Sequence, residues 1–296
     1  IDYKSLPSDQ PISKVISNIG STQAKGIEFE IHSTNIQKGN FTWTTDFNFS
    51  YTIYRWLTRN PELVLSSWQS VTDEMSAVFG WETDGIFHSY DEINAYKNSK
   101  GELLQPLAVP GNIRYKDYNG DGVLDDNDNH FLGRNTAPFR FGFNNTFSYK
   151  RFSAMIYWYG AAGNLVSNPG NRGGALGDPS PHNTYNNAID HLWSMKNQNG
   201  DWPGIGSDKT SSTQRTGGGN DFWYTKLWYA KLKNVQLSYM LPNKFSDFLH
   251  MNSLAVTVDA QNLATLTNFQ GYDPEMRGNY PYPICYSFTF GVKANF

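Results

Sequence analysis

The last eleven residues of the chain, Tyr286 to Phe296, read Y-S-F-T-F-G-V-K-A-N-F. Every second side chain in this stretch is apolar, and four of the six are aromatic (Tyr286, Phe288, Phe290 and Phe296). The side chains between them are small or polar. This alternation predicts a β-strand with one apolar and one polar face, about as long as a tilted strand that crosses a bilayer. Because a strand of a soluble sandwich shows the same alternation, the rest of the chain has to distinguish the two.

The composition favours β structure and excludes several functional classes. The 296 residues include 16% aromatic side chains, and the net charge of -3 gives no basic surface for nucleic acid. The one cysteine, Cys285, excludes an intrachain disulfide. No apolar run approaches the roughly eighteen residues of a membrane helix, and the mean hydropathy is -0.56. Since the sequence begins Ile-Asp-Tyr without a methionine, we expect it to be part of a longer protein.

Alternation of apolar and polar residues recurs along the chain and predicts seven strands. They are expected at about residues 24–36, 41–57, 138–149, 152–162, 227–240, 253–263 and 283–296. The clearest is the second, where Phe41, Trp43 and Phe47 share one face. The polar series expected on the other face of these strands includes Asp46, Asn48, Gln236, Asp259 and Gln261.

The connections between the predicted strands are alternately short and long. The short ones are 37–40, 149–151 and 241–252, and the long ones are 58–137, 163–222 and 264–282. We expect a short helix within Leu63–Phe79. An up-and-down meander with all short turns at one end is typical of an outer-membrane barrel with long external loops. Seven strands leave open edges, which are costly in lipid, so upstream sequence is expected to complete the barrel.

The chain resembles the C-terminal part of SusC/RagA-type TonB-linked outer-membrane transporters of Bacteroidota. The resemblance is carried, besides the terminal strand, by N-I-G-S-T-Q-A-K-G-I-E at 18–28, G-W-E-T-D-G-I-F at 80–87, P-G-N-I-R-Y-K-D-Y-N-G-D-G at 110–122, L-K-N-V-Q-L-S-Y-M-L-P at 232–242 and D-A-Q-N-L-A-T-L-T-N-F-Q-G-Y-D-P-E at 259–275. These stretches span nearly the whole chain in the expected order.

The resemblance implies an all-β fold, in which residues 1–296 form the C-terminal part of one antiparallel transmembrane β-barrel. The whole barrel would have about 22 strands and a plug, and the N-terminal plug domain would lie outside this chain. It further implies active import of oligosaccharides or peptides, a SusD-like surface lipoprotein as a lid, and energy from the TonB complex. Tyr286, Phe288, Phe290 and Phe296 would then form the signal for the barrel-assembly machinery, and the apolar faces would contact membrane lipids.

Two alternatives to an active importer remain open at this stage. One is a secreted or surface β-sandwich that binds carbohydrate and uses a calcium loop as a clamp. The other is a passive porin-type barrel. The sequence predicts no enzyme, because its six histidines have no metal-ligand spacing and its paired acidic residues lie in polar loops.

The segment Asp117–Asp128 reads D-Y-N-G-D-G-V-L-D-D-N-D and matches the calcium loop of an EF-hand. The ligand positions would be taken by Asp117, Asn119, Asp121, Val123 (through its carbonyl), Asp125 and Asp128. Asp128 stands where that loop has glutamate, and a solvated Asn/Asp/Gly turn is the alternative interpretation. Among the many aromatic residues of the long connections, Trp193 and Trp202 are candidates for contact with a substrate.

Overall fold

The computed structural model describes residues 2–5, 12–167, 188–204, 219–248, 250–269, 271, 273–276 and 284–296. Its main feature is a seven-stranded antiparallel sheet. The strands, numbered in chain order, are β1 (Asp2–Ser5), β2 (Lys14–Ser17), β3 (Ser21–Lys38), β4 (Phe41–Thr58), β5 (Ala77–Gly80), β6 (Thr83–Ile86), β7 (Ile113–Tyr115), β8 (His130–Arg134), β9 (Phe139–Tyr149), β10 (Phe152–Ser167), β11 (Tyr224–Met240), β12 (Ser253–Thr267) and β13 (Ser287–Asn295). The helices are α1 (Tyr90–Ala95), α2 (Ala188–His191) and α3 (Asn243–Phe248).

The large sheet is an up-and-down meander. Its strand order is β13-β12-β11-β10-β9-β4-β3, so each long strand pairs with the next long strand of the chain. The hairpin of β9 and β10 runs in continuous register from Phe152 opposite Tyr149 to Ala162 opposite Phe139. The antiparallel all-β fold is thus confirmed, while closure into a single plugged barrel of about 22 strands stays a prediction.

Alternation with a period of two separates the sheet into an apolar face and a polar face. On the apolar face, cross-strand pairs bring aromatic rings into contact: the ring centroids of Trp43 and Phe147 lie 5.6 Å apart, and those of Tyr51 and Phe139 lie 4.7 Å apart. On the terminal strand, the side chain of Phe290 is 78% exposed. Apolar side chains that remain exposed over a whole sheet face indicate a surface that is solvated by lipid rather than by water.

A β-bulge interrupts the pairing of β11 with β12. The register between β11 and β12 shifts between Leu232 and Asn234, and Asn262 adopts a left-handed conformation with φ 57°. The Lys233 Nζ donates to Asn262 Oδ1 at 2.9 Å across this bulge. Between the pairs of Leu232 and of Asn234, β11 advances two residues and β12 advances three, from Ala264 to Gln261, so the extra residue of the bulge lies in β12.

The chain divides into two compact units. Unit 2 comprises Gly26–Thr52, Ala137–Gly163 and Leu227–Phe296 and contains most of the large sheet. Unit 1 comprises Ile1–Lys25, Ile53–Thr136 and Asn164–Lys226 and contains most of the long connections. Within unit 1, β5 pairs with β8 and β6 pairs with β7. The connection between β4 and β9 is therefore a folded segment with its own hydrophobic core, built on Trp81, Ile86, Ile113 and Tyr115.

The prediction of a short helix within Leu63–Phe79 is wrong. This stretch forms turns up to β5, because its side chains bind nearby backbone amides: Ser66 N donates to Gln69 Oε1 and Ser70 N donates to Asp73 Oδ2. Such local bonds compete with helix formation. The helix of this region is α1, where the Ser89 hydroxyl accepts from Glu92 N as an N-cap. In the part of the chain that the structure describes, no helix is both long and apolar enough to span a membrane.

Candidate functional site

The polar face of the large sheet carries the residues expected to line a lumen. Asp46 lies opposite Asn144 and accepts from Asn144 Nδ2 at 3.3 Å, and it also contacts His32. On β12, Asp259 lies opposite Gln236 and accepts from Asn234 Nδ2 at 2.6 Å. Gln261 Nε2 donates to the second oxygen of Asp259 at 3.0 Å. These polar side chains therefore form hydrogen bonds with one another along and across the strands.

An ion cluster that sequence analysis missed lies on unit 2 at Lys231. Its Nζ is 2.7 Å from both carboxylate oxygens of Asp273 and 2.6 Å from Glu275 Oε2. The Lys231 side chain is 3% exposed and that of Asp273 is 10% exposed. The Tyr229 hydroxyl lies 3.5 Å from Glu275 Oε1. Because Asp273 and Glu275 follow β12 in the chain, the cluster fixes this part of the connection onto β11.

The predicted calcium loop is a tightly curved segment in which carboxylates bind backbone amides. Asp117 accepts from Gly120 N at 2.8 Å and from Gly122 N at 2.7 Å, and both glycines have left-handed φ angles. Asn119 accepts from Asp121 N, and Asp121 accepts from Val123 N at 2.8 Å. The first half of the loop thus has the curvature that an oxygen-ligated cation requires.

The second half of the loop is a capped 3₁₀ helix, Asp126–Asp128. Asp125 accepts from Asn127 N at 2.7 Å, and the fully buried Asp128 accepts from Asp125 N at 2.9 Å and from Tyr118 N at 2.8 Å. Burial raises the pKa of the Asp128 carboxyl above its usual value. No three or more His, Cys, Asp or Glu side chains come together as a metal site among the described residues. Calcium binding, which would also use Asn119 and a backbone carbonyl, stays a prediction.

The two candidate tryptophans are packed into unit 1. Trp202 is 6% exposed, lies in a cluster with Leu192 and Trp223, and stacks on His191 at 4.9 Å. Trp193 covers Gly111, where a Cβ atom would come within 2.6 Å of its ring; the φ of Gly111 is 91°. Packing accounts for both side chains, so their contact with a substrate stays a prediction.

Unit 1 also contains a polar cleft that no sequence motif indicated. Its volume is about 420 Å³, and its lining residues are Glu82, His130, Phe131, Leu132, Leu165, Asp221, Tyr224 and Lys226. His130 stacks on Tyr118 at 3.7 Å, and its Nε2 lies 3.7 Å from Glu82 Oε2. Asp221 accepts from the backbone and hydroxyl of Thr83 at 2.9 and 2.6 Å. The cleft thus presents groups of both charge signs.

One of the charged lining residues forms an ion pair with a residue outside the cleft. Glu82 forms an ion pair with Lys116, and this pairing raises the pKa of the Lys116 ammonium. The contributing residues lie far apart in sequence, from Glu82 to Lys226. Because of these separations, no motif of fixed spacing could have identified the cleft from the sequence.

The chain is similar to TonB-dependent receptors over nearly its whole length. No protein-family model matches it. TonB-dependent receptor P3 of Formosa agariphila is 28% identical over 314 residues, which cover 98% of this chain and 30% of that protein. TonB-dependent receptor P39 of the same organism is 26% identical over 315 residues, covering 93% of this chain and 30% of that protein. TonB-dependent receptor SusC of Bacteroides thetaiotaomicron is 20% identical over 311 residues, covering 96% of this chain and 27% of that protein.

Solved structures show the same fold. The RagAB peptide transporter matches with a TM-score of 0.72 at 20% identity, covering 99% of this chain and 31% of that chain. The RagAB peptide importer in its "closed-closed" state matches with a TM-score of 0.71, covering 98% and 31%. The chain spans about 30% of the length of the curated relatives it matches. The similarity to SusC/RagA-type TonB-linked transporters and the outer-membrane location are confirmed.

Proposed function

We propose that this chain forms part of a TonB-dependent importer of the outer membrane. The observation that carries the proposal is the similarity to TonB-dependent receptors over 98% of the chain, combined with a meander whose long connections fold into a separate unit. A single seven-stranded sheet argues against the β-sandwich alternative, which needs two packed sheets. Because the chain spans about 30% of its curated relatives, the activity belongs to the longer protein.

We expect uptake to require the proton-motive force. A strain without the parent gene should lose growth on the cargo, and the restored gene should return it. An uncoupler, or deletion of the TonB-contacting segment of the parent, should then abolish uptake again. The control is a small solute that enters through general porins, whose uptake should not change. Uptake of the cargo that survives both treatments would support the passive porin alternative instead.

The proposed cargo is an oligosaccharide or a peptide. RagAB is described as a peptide importer, and the cleft of unit 1 carries Glu82, Asp221, His130 and Lys226, a mixed charge pattern that suits a peptide better than a neutral sugar. Burial of Trp202 in a core removes one expected stacking surface for a sugar ring. Competition between labelled peptides and labelled oligosaccharides for uptake discriminates the two classes.

We further propose that the parent protein works with a SusD-like surface lipoprotein. The support is the similarity to SusC and to the RagAB assembly. Purification of the tagged parent in mild detergent should yield a stoichiometric lipid-modified partner. A parent that transports cargo normally when the partner gene is deleted would contradict the proposal.

We also propose that the Asp117–Asp128 loop binds calcium. The support is the loop sequence, together with the curvature that Asp117 imposes through Gly120 and Gly122. Asp121→Asn keeps an oxygen that can accept from Val123 N but removes one charge, so it should lower calcium affinity, since ligand charge sets the affinity of such loops. Calorimetric titration and the calcium-dependent rise in Tm check this. The matched control is Asp91→Asn on α1, and equal calcium responses of both variants and the wild type would contradict the site.

A further inference from the structure

An apolar groove of about 300 Å³ crosses the apolar face of the large sheet in unit 2, near the short turns. It is lined by Phe41, Phe147, Ser148, Tyr149, Phe152, Ser153, Ala154, Leu237, Ser238, Tyr239, Val256 and Val258. All nine apolar residues of this set have the parity of the apolar face, as the pairs Phe41–Tyr149, Ala154–Phe147 and Leu237–Val258 show. Since the groove extends over β4, β9, β10, β11 and β12, with about 4.8 Å between strands, its length is on the order of 20 Å.

The groove exists because one small side chain lies among large ones. Ala154 faces Phe147 across the β9–β10 pair, while Phe152 and Tyr239 pack their rings 4.5 Å apart at the end near the turn. Phe152 is 61% exposed and Leu237 is 55% exposed. In a lipid-facing surface such a slot is filled by hydrocarbon, because an empty apolar gap loses the van der Waals contacts of its walls.

The end of the groove at the turns carries positive charge. Lys150 is exposed in the turn between β9 and β10, and its Nζ lies 5.4 Å from the ring of Tyr149, which forms a wall of the groove. Arg151 is already engaged, since it donates to Leu241 O at 2.5 Å and to Asn243 Oδ1 at 3.4 Å. Exposed Lys244 lies on α3 in the neighbouring connection.

The charge balance of the short connections is one-sided. Segments 37–40, 149–151 and 241–252 contain four basic residues, Lys38, Lys150, Arg151 and Lys244, against one acidic residue, Asp247. A cluster of this kind beside the apolar band attracts anionic lipid head groups. The head-group contact and the acyl-chain slot therefore lie next to each other.

We propose that this groove binds an anionic glycerophospholipid of the leaflet that faces the short turns. Its acyl chain lies between Phe152, Leu237 and Val258, and its phosphate contacts the Lys150 ammonium. The inference relies on the outer-membrane location and not on the transported cargo. A free phosphate would use only the lysine, and a zwitterionic lipid would use mainly the groove, so the two parts of the site can be tested separately.

The test measures lipids retained by the full-length parent protein after delipidation in detergent and incubation with phosphatidylglycerol or phosphatidylethanolamine. Native mass spectrometry counts the bound lipids. The wild type should retain phosphatidylglycerol preferentially. Lys150→Gln should lower its affinity by about fivefold, the effect of one cation near an anionic head group. Ala154→Leu should fill the slot and lower the retention of both lipids.

The matched controls are Lys100→Gln, an exposed lysine of unit 1, and Val292→Leu, an exposed position of the apolar face outside the groove. Both should retain lipid as the wild type does. Heat-modifiable migration shows that each variant is folded, and Lys150→Gln alone tests the head-group contact if Ala154→Leu does not assemble. Equal retention of the two lipids by the wild type, inorganic phosphate competing fully for the site, or unchanged retention in Lys150→Gln overturns the proposal.

Discussion

Lys231 determines the position of two carboxylates that follow β12. A lysine that is 3% exposed is stable in its charged form only if its partners are close, and Asp273 and Glu275 supply three oxygens within 2.7 Å. The partners in turn depend on the lysine, because two neighbouring carboxylates without a cation repel each other. Because of this mutual dependence, the cluster holds Asp273 and Glu275 of the connection after β12 against β11.

We expect Lys231→Met in the parent protein to destabilise this region by about 3–5 kcal/mol, since removing one partner leaves buried charge uncompensated. Thermal unfolding in detergent should show a lower Tm. Lys293→Met on β13 is the matched control, because Lys293 is exposed and its loss should change the Tm little. The triple variant Lys231→Met with Asp273→Asn and Glu275→Gln should recover part of the loss. A Tm of Lys231→Met equal to that of Lys293→Met would contradict the role.

The long strands could be predicted one by one from the sequence, whereas the structure of the long connections could not. A period of two assigns each side chain of β4 or β13 to a face directly, and short connections such as Lys150–Arg151 fix which strands pair. Leu63–Phe79 misled the prediction because its serine and aspartate side chains bind the backbone locally.

The candidate sites depend on contacts between distant parts of the chain. Asp221 binds Thr83 across 138 positions, and Lys231 binds Asp273 across 42. Neither pair leaves a local pattern in the sequence. The Asp117–Asp128 loop was recognisable because all its side chains come from one short segment, but the burial of Asp128 against backbone amides required the structure.

The terminal strand β13 is expected to act in assembly through its apolar face. Phe290→Ser and Phe296→Ala should each lower the fraction of parent protein that assembles in the outer membrane, because the exposed aromatic side chains of this edge strand are the proposed contacts of the assembly machinery. The measurement is the fraction of heat-modifiable protein in the membrane. Thr289→Ala, on the polar face of the same strand, is the control and should assemble normally. Equal assembly of all three variants would falsify the signal.

The large sheet has two edges among the described residues, β13 and β3. The two outer strands leave backbone amides and carbonyls without a neighbouring strand, and in lipid each unsatisfied group costs several kcal/mol. The seven strands share one apolar face and one polar face, as the wall of a membrane barrel does, but β3 and β13 are not paired with each other. Additional strands of the parent protein are the expected partners of both edges.

We therefore expect residues 1–296 produced alone to fail to form a stable barrel. In detergent, the unheated and heated chain should migrate identically on a gel, and the chain should aggregate through β3 and β13, because open edges pair with other chains. The full-length parent should show heat-modifiable migration under the same conditions. Co-expression of the upstream part of the parent as a separate chain should restore this behaviour, since pairing between the two chains satisfies both edges. If residues 1–296 alone gave a monodisperse, heat-modifiable monomer, the edges would have to pair with each other, and the requirement for upstream strands would be wrong.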